Sequence, residues 1–204
     1  MDDTAFETTL VTAALQQAAE QGWGKVSVLG AAKAAGLPLD QARQKFPGRH
    51  RILLALGRLA DQAALADPAP EGSTRDKIFD LLMRRIDVFQ AHRDGVLALL
   101  RALPTEPATA ALLACATQRS MGWMRDAAGE STTGLRGAVR VRGLTAVWLW
   151  AMRAWQSDVS ADLSATMAAL DMALTRAEPM ARWLSDAPLA SPAPTQGEAS
   201  APDL

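Results

Sequence analysis

One cysteine, Cys115, and neither tyrosine nor asparagine occur in the 204 residues of this chain. A lone thiol excludes an internal disulfide framework and any multi-cysteine zinc site, and it fits a reducing compartment. Without asparagine there is no Asn-Gly hairpin, and no segment sustains the apolar-polar alternation of a half-buried strand. The opening Met1-Asp2-Asp3 is acidic where a secretory leader would be basic. The uncharged run from Pro107 to Gln118 is shorter than the ~20 residues that span a bilayer. A cytoplasmic location is expected, with any contact with the inner membrane peripheral.

The usual marks of catalysis are missing too. His50 sits between Arg49 and Arg51, and His92 beside Arg93. Neither has cysteine, histidine or carboxylate partners at metal-ligand spacing. There is no Gly-x-Ser-x-Gly elbow, no phosphate loop and no Gly-x-Gly-x-x-Gly fingerprint. The expectation is a protein that is not an enzyme, with no catalytic residue, no metal and no cofactor.

What is present is helix-forming. The chain is 49% hydrophobic and 21% charged, with a formal net charge of −1, the balance of an ordinary globular protein. Ala, Leu, Met, Gln and Arg are abundant, so the predicted fold class is all-α.

The periodicity predicts a first helix from near Thr4 to Gln21, with Phe6, Leu10, Ala13, Ala14 and Ala18 on one face and Gly22 to Gly24 ending it. Ser27 caps a short second helix that stops at Gly36. A third covers about Leu39 to Lys45 before Phe46-Pro47-Gly48, giving a helix-turn-helix plan. A longer helix with Ile52, Leu56, Leu59 and Ala63 facing a core runs to a Pro-rich linker at 67–72, which bounds an N-terminal module of residues 1–66.

The second domain is placed at 73–184. Ser73 or Thr74 caps a helix carrying Ile78, Leu82, Ile86 and Phe89, Gly95 to Leu103 is another, and Pro107 to Ala127 a third. A glycine-punctuated turn from Trp123 to Gly137 leads into a tryptophan-rich helix, Gly143 to Trp155. The last helix carries Leu163, Met167, Leu170 and Leu174 as a packed seam, with Pro179 expected to kink or restart it. Residues 185–204, rich in Ala, Pro and Ser, read as a disordered tail.

On the tryptophan-rich helix Leu144, Trp148, Ala151, Met152 and Trp155 share an arc of about 100°, while Trp150 points almost oppositely. A helix apolar nearly all round is sandwiched between layers, buried at a subunit interface or wrapped on an apolar ligand. Trp123, Met124, Leu144, Trp148, Met152 and Trp155 are the candidate lipid-binding residues. Methionine adapts to irregular apolar shapes and tryptophan suits rims that meet water.

Two resemblances narrow this reading. Ser27-Val28-Leu29-Gly30-Ala31-Ala32-Lys33-Ala34-Ala35-Gly36-Leu37, followed by Phe46-Pro47-Gly48, resembles the first module of TetR-type regulators. Several further segments resemble the ubiquinone-biosynthesis accessory family known as the ninth Coq protein, built on the same TetR-like fold. They are Gly22-Trp23, Gly30-Ala31, Phe79 to Asp87 with His92-Arg93, the Ala127 to Gly143 stretch, and Trp155 to Leu174. This second resemblance implies a homodimer that holds an isoprenoid quinone precursor, or a similar lipid, and presents it to a quinone-ring hydroxylase. Asp162, Thr166, Met167, Leu170 and Asp171 form the candidate docking patch for that partner, while Asp158, Ser160 and Asp162 also read as caps of the last helix.

The alternative is a DNA-binding regulator with an apolar ligand pocket. Within residues 21–60, Lys25, Lys33, Arg43, Lys45, Arg49, Arg51 and Arg58 face only Asp40. Such a surplus could neutralise phosphates, with Lys25, Gln41, Arg43, Gln44 and Lys45 as the candidate DNA-binding residues. Against it, Arg43 replaces the aromatic that TetR-type recognition helices usually carry, and Leu29, Pro38 and Leu39 occupy positions expected to be polar.

Overall fold

The computed structural model describes residues 2–68 and 71–186. Among them the secondary structure is helical, without a strand: α1 (Asp3–Gln21), α2 (Val28–Ala34), α3 (Leu39–Lys45), α4 (Arg49–Leu65), α5 (Thr74–Ala91), α6 (Arg93–Ala102), α7 (Pro107–Ala127), α8 (Gly134–Ser157) and α9 (Ser164–Asp186). Single 3-10 turns lie at Trp23–Lys25 and Leu103–Thr105.

The N-terminal part is organised on α1. Asp2 caps it by accepting the Ala5 amide proton at 2.6 Å, and Phe6, Leu10, Val11, Ala14, Leu15 and Ala18 are buried along it. The helix ends at Gly22, whose φ of 85° is open to glycine at little cost. Ser27 then caps α2 through the Gly30 amide at 3.0 Å. Helices α2 and α4 pack on α1 from the sequence that follows, and α6 packs on it from beyond the Pro-rich linker. That last contact depends on Gly95: a Cβ there would lie 2.3 Å from the Leu15 carbonyl oxygen, well inside van der Waals contact.

In α4 the buried stripe is Ile52, Leu53, Ala55, Leu56, Ala60 and Ala64. Ala63, expected to face the core, is exposed, because the stripe follows the 3.6-residue repeat through Ala60 and Ala64 instead. Helix α4 lies along α5 and α7 as well as α1, so the chain packs against itself across the turn that follows it. Arg84 of α5 reinforces that turn, donating to the Asp67 carbonyl at 3.0 Å.

The glycine-rich segment departs from expectation. Trp123 to Ala127 close α7, and the tryptophan-rich helix starts at Gly134 rather than Gly143. Gly137 sits where its first turn folds tightly back on the loop, and a Cβ would meet the Thr132 carbonyl group at 2.1 Å. The glycine answers a need for close approach inside a helix, not for a turn. Helix α9 also runs through Pro179 to Asp186, since one missing amide donor does not end the element. Ser185 and Asp186 of the expected tail are therefore helical; its remainder, 187–204, lies outside the described residues.

The start of α9 is organised on Asp158, which is 5% exposed. One carboxylate oxygen accepts from the Thr166 amide and hydroxyl, both at 2.7 Å. The other accepts from the Ser160 amide at 3.0 Å and from its hydroxyl. Ser160 in turn accepts the Ser164 amide proton at 3.1 Å, and Asp162 accepts it at 3.2 Å. The Ser160 and Thr166 hydroxyls, with the two amides, hold the Asp158 carboxyl well below the usual carboxylate range against the opposing effect of burial. Leu163 takes a φ of 56° to bring the chain round into the helix.

Two stability experiments follow from these contacts. In urea melts, Gly95→Ala is expected to lower the unfolding free energy by about 1–3 kcal/mol through overpacking against α1. Gly57→Ala, inside α4 with open space around it, should instead raise it by up to about 1 kcal/mol. Asp158→Asn is expected to cost about 1–3 kcal/mol at neutral pH, by leaving buried donors poorly matched. Because the folded carboxyl titrates below the unfolded one, this stabilisation is complete above the ordinary carboxylate pKa. The gap between the two proteins should therefore narrow as pH falls below about 4.

Candidate functional site

Two surfaces compete as functional sites, one on the helix-turn-helix and one on the rear bundle. The first is presented by α3, whose Ala42 is 1% exposed and anchors the helix inward. Asp40, Gln41, Arg43 and Gln44 are exposed around it, and Lys25 is exposed nearby in sequence on the turn before α2. Lys45 is different. Its ammonium group meets Asp3 at 2.6 Å and lies 5.4 Å from the Phe6 ring centroid, so it serves to join α3 to α1.

The local charge surplus shrinks for the same reason. Arg49 pairs with Glu106 at 3.0 Å, and Arg58 pairs with Glu7 at 3.1 Å. The acids of all three pairs come from outside the 21–60 window, which is why a local count missed them. Lys25, Lys33, Arg43 and Arg51 are left without an ion-pair partner among the described residues. Leu29 and Leu39, 55% and 42% exposed, stand among these polar groups and wall a recess of about 360 Å³ between α2 and α3.

The second surface is a cleft of about 950 Å³ between the start of α5, the α7–α8 loop, α8 and α9. Ile78, Leu144, Val147, Trp150 and Leu174 give it an apolar wall. Of the six residues expected to contact a lipid, Leu144 alone lines this cleft. Met124, Trp148, Met152 and Trp155 are between 0% and 7% exposed and pack into the core. Trp123, 61% exposed, lies on the outside of α7 and is not a wall residue.

The core roles of the two buried tryptophans are specific. Trp155 donates its indole proton to Gln90 at 2.9 Å, with the Arg93 guanidinium 4.8 Å from its ring centroid. Trp148 meets Phe89 edge-on at 5.8 Å, with Arg85 5.0 Å from its ring centroid. Trp150, on the opposite side of α8, faces the cleft and is 50% exposed. That reversal was encoded in the spacing, which separated Trp150 from the others but could not say which side was hollow.

Charge gathers at this cleft. Arg75, Arg125, Arg140, Arg142 and Arg176 line it, against Glu130 and Glu178. Arg125 is 5% exposed and pairs with Glu130. Burial, and secondarily the charge of Arg140, push its guanidinium down to about 10, so it stays protonated at neutral pH.

The expected docking patch is not presented as a face. Thr166 and Leu170 are both 0% exposed, turned inward by the Asp158 network and the α8–α9 packing. Met167 is half-buried, while Asp162 is exposed but engaged at the helix start. Asp171 is exposed and accepts from Arg75 at 2.5 Å. Among the described residues no three histidine, cysteine or carboxylate side chains are grouped to hold a metal, and no helix is long and apolar enough to cross a membrane.

No family model matches the chain, and no curated protein matches it. Solved structures do. A TetR transcriptional regulator from Nitrosomonas europaea superposes with a TM-score of 0.69 at 21% identity, over 88% of this chain and 99% of that one. One from a Rhodococcus species gives 0.58 at 16% identity, covering 83% and 93%. A TetR-family regulator from Streptomyces coelicolor gives 0.56 at 20% identity, covering 94% of each chain. The architecture is thus a TetR-like fold, with an N-terminal helix-turn-helix and a helical C-terminal domain, and nothing in these likenesses points specifically to the ubiquinone accessory family.

Proposed function

We propose that the protein is a DNA-binding transcriptional regulator, working as a homodimer, whose grip on DNA is set by a small molecule in the cleft between α5, α8 and α9. The observation that carries this reading is α3. It is a short helix anchored by one buried alanine, with Gln41, Arg43 and Gln44 exposed on it and four unpaired cations in and around the same module. Arginine and glutamine are the side chains that make bidentate contacts with guanine and adenine in the major groove. The fold shared with TetR transcriptional regulators supports it. The protein does no chemistry in this reading.

Pairing of two copies is supported by the outer sides of α8 and α9. Leu149 is 60% exposed and Met172 46% exposed, and Ala165 and Ala168 extend the stripe on α9 at helical spacing. Leu149 projects about 100° away from Trp150 around α8, and neither Leu149 nor Met172 lines the cleft, so the stripe borders the cleft rather than walling it. A dimer is what places two recognition helices on successive turns of a duplex.

The resemblance to the ubiquinone accessory family carries a second reading: an accessory protein holding a prenylated quinone intermediate for a ring hydroxylase, peripheral to the inner membrane. The cleft's apolar wall supports it, since each methylene buried there gains about 0.8 kcal/mol. Lipid extraction from natively purified protein, followed by mass spectrometry, distinguishes the two: retained prenylquinone together with no duplex binding favours the carrier.

For the regulator, duplexes enriched from a random library by repeated selection should bind in a gel-shift assay, with affinity falling steeply as salt rises. Arg43→Ala with Gln44→Ala is expected to weaken binding by about 1–3 kcal/mol per lost base contact. No enrichment over random duplex, or unchanged affinity in the double variant, removes the reading. Leu149→Asp with Met172→Asp should convert the dimer to a monomer by light scattering. The same change should abolish binding to a palindromic site.

A further inference from the structure

We infer that the cleft takes an amphipathic anion, an apolar chain ending in a carboxylate or a similar acidic group, in preference to a neutral lipid. This deepens the reading of the cleft as a small-molecule site and rests on it.

The argument is one of charge complementarity. An apolar wall alone would accept any greasy body of suitable size. This wall is bordered by five arginines and two glutamates, an imbalance set against a whole chain whose formal charge is −1. Arg75 is neutralised by Asp171, and Arg125 by Glu130. Arg142 on α8 and Arg176 on α9 have no ion-pair partner among the described residues, and they border the cleft from its two long walls. A chain with an acidic end satisfies both halves of this arrangement: methylenes cover Val147, Trp150 and Leu174, and the head meets planar guanidinium groups that bind carboxylates in a two-pronged fashion. A neutral alcohol or quinone could use only the apolar half.

A second copy of the chain is the poorer occupant. Two-fold pairing through this face would set the same cationic mouth against itself, and like charges brought together out of water are costly.

The test is isothermal titration calorimetry on the full chain with dodecanoate and with 1-dodecanol, both below the concentrations at which they aggregate. Dodecanoate is expected to bind about tenfold more tightly or better. Arg142→Gln with Arg176→Gln, both exposed and therefore compatible with an unchanged thermal melt, should bring dodecanoate down to about the affinity of dodecanol while leaving dodecanol unaffected. Trp150→Ala should weaken both.

Equal affinity for the two ligands in the unaltered protein would overturn the anion and leave a small-molecule cleft standing. A preference for dodecanoate that survives the double arginine variant would overturn it as well, by placing the acid elsewhere. Binding of neither ligand, with the arginine variant changing mass from dimer to monomer in light scattering, would overturn the cleft as a ligand site altogether and make it an interface.

Discussion

A charged guanidinium in the interior constrains more of this structure than any other contact. Arg85 of α5 is 2% exposed. It pairs with Asp61 of α4, whose other oxygen accepts from Ser120 of α7 at 2.7 Å, and it lies over the rings of Trp148 of α8 and Phe89 of its own helix. Burial pushes it down to about 10, which leaves it charged at neutral pH. Four helices converge on one positive charge that water cannot reach. Separating any of them would strand that charge or its carboxylate, a far larger penalty than losing a few apolar contacts. Such a network adds little to net stability compared with an apolar core of equal volume, but it fixes which arrangement of α4, α5, α7 and α8 is allowed.

That arrangement connects the two surfaces. Helix α4 begins beside the helix-turn-helix and reaches Asp61 near its far end, inside the rear bundle. Trp148 faces Arg85 from α8, and Val147 and Trp150 of the same helix look into the cleft. A guest against those residues and a duplex against α3 would both act on elements that touch the Arg85 cluster. These packed side chains are a contiguous physical connection between the two surfaces.

Much of the fold was legible in the residues. Ser27, Gly36 and Pro47 bracket α2 and α3, and Pro107 with Gly129 brackets α7, because capping and chain-breaking are local physics. Gly137 misled because glycine can mark either a turn or a tight approach within a helix, and only the position of Thr132 decides; Gly143 simply sits within α8 with open space around it. The site was harder to read. Periodicity put Trp148 and Trp155 on one side of α8 and Trp150 on the other, yet a packed face and a hollow one have the same spacing. Which is which depends on where α5 and α9 lie against α8. The basic surplus failed similarly, since Asp3, Glu7 and Glu106 lie outside the stretch that was counted. The arginine border of the cleft, drawn from four separate helices, leaves no linear motif at all.

The same long-range pairing bears on how the front of the molecule can move. Arg49, in the first turn of α4, donates to the carbonyls of Trp23 and Gly24 at 3.4 and 3.3 Å while it pairs with Glu106. Helix α4 is thus held at its head by that residue and near its foot by Asp61. Such a helix is a strut between the rear bundle and the helix-turn-helix, so a displacement at one end would reach the other as tilt, with its amplitude set by the length of the rod.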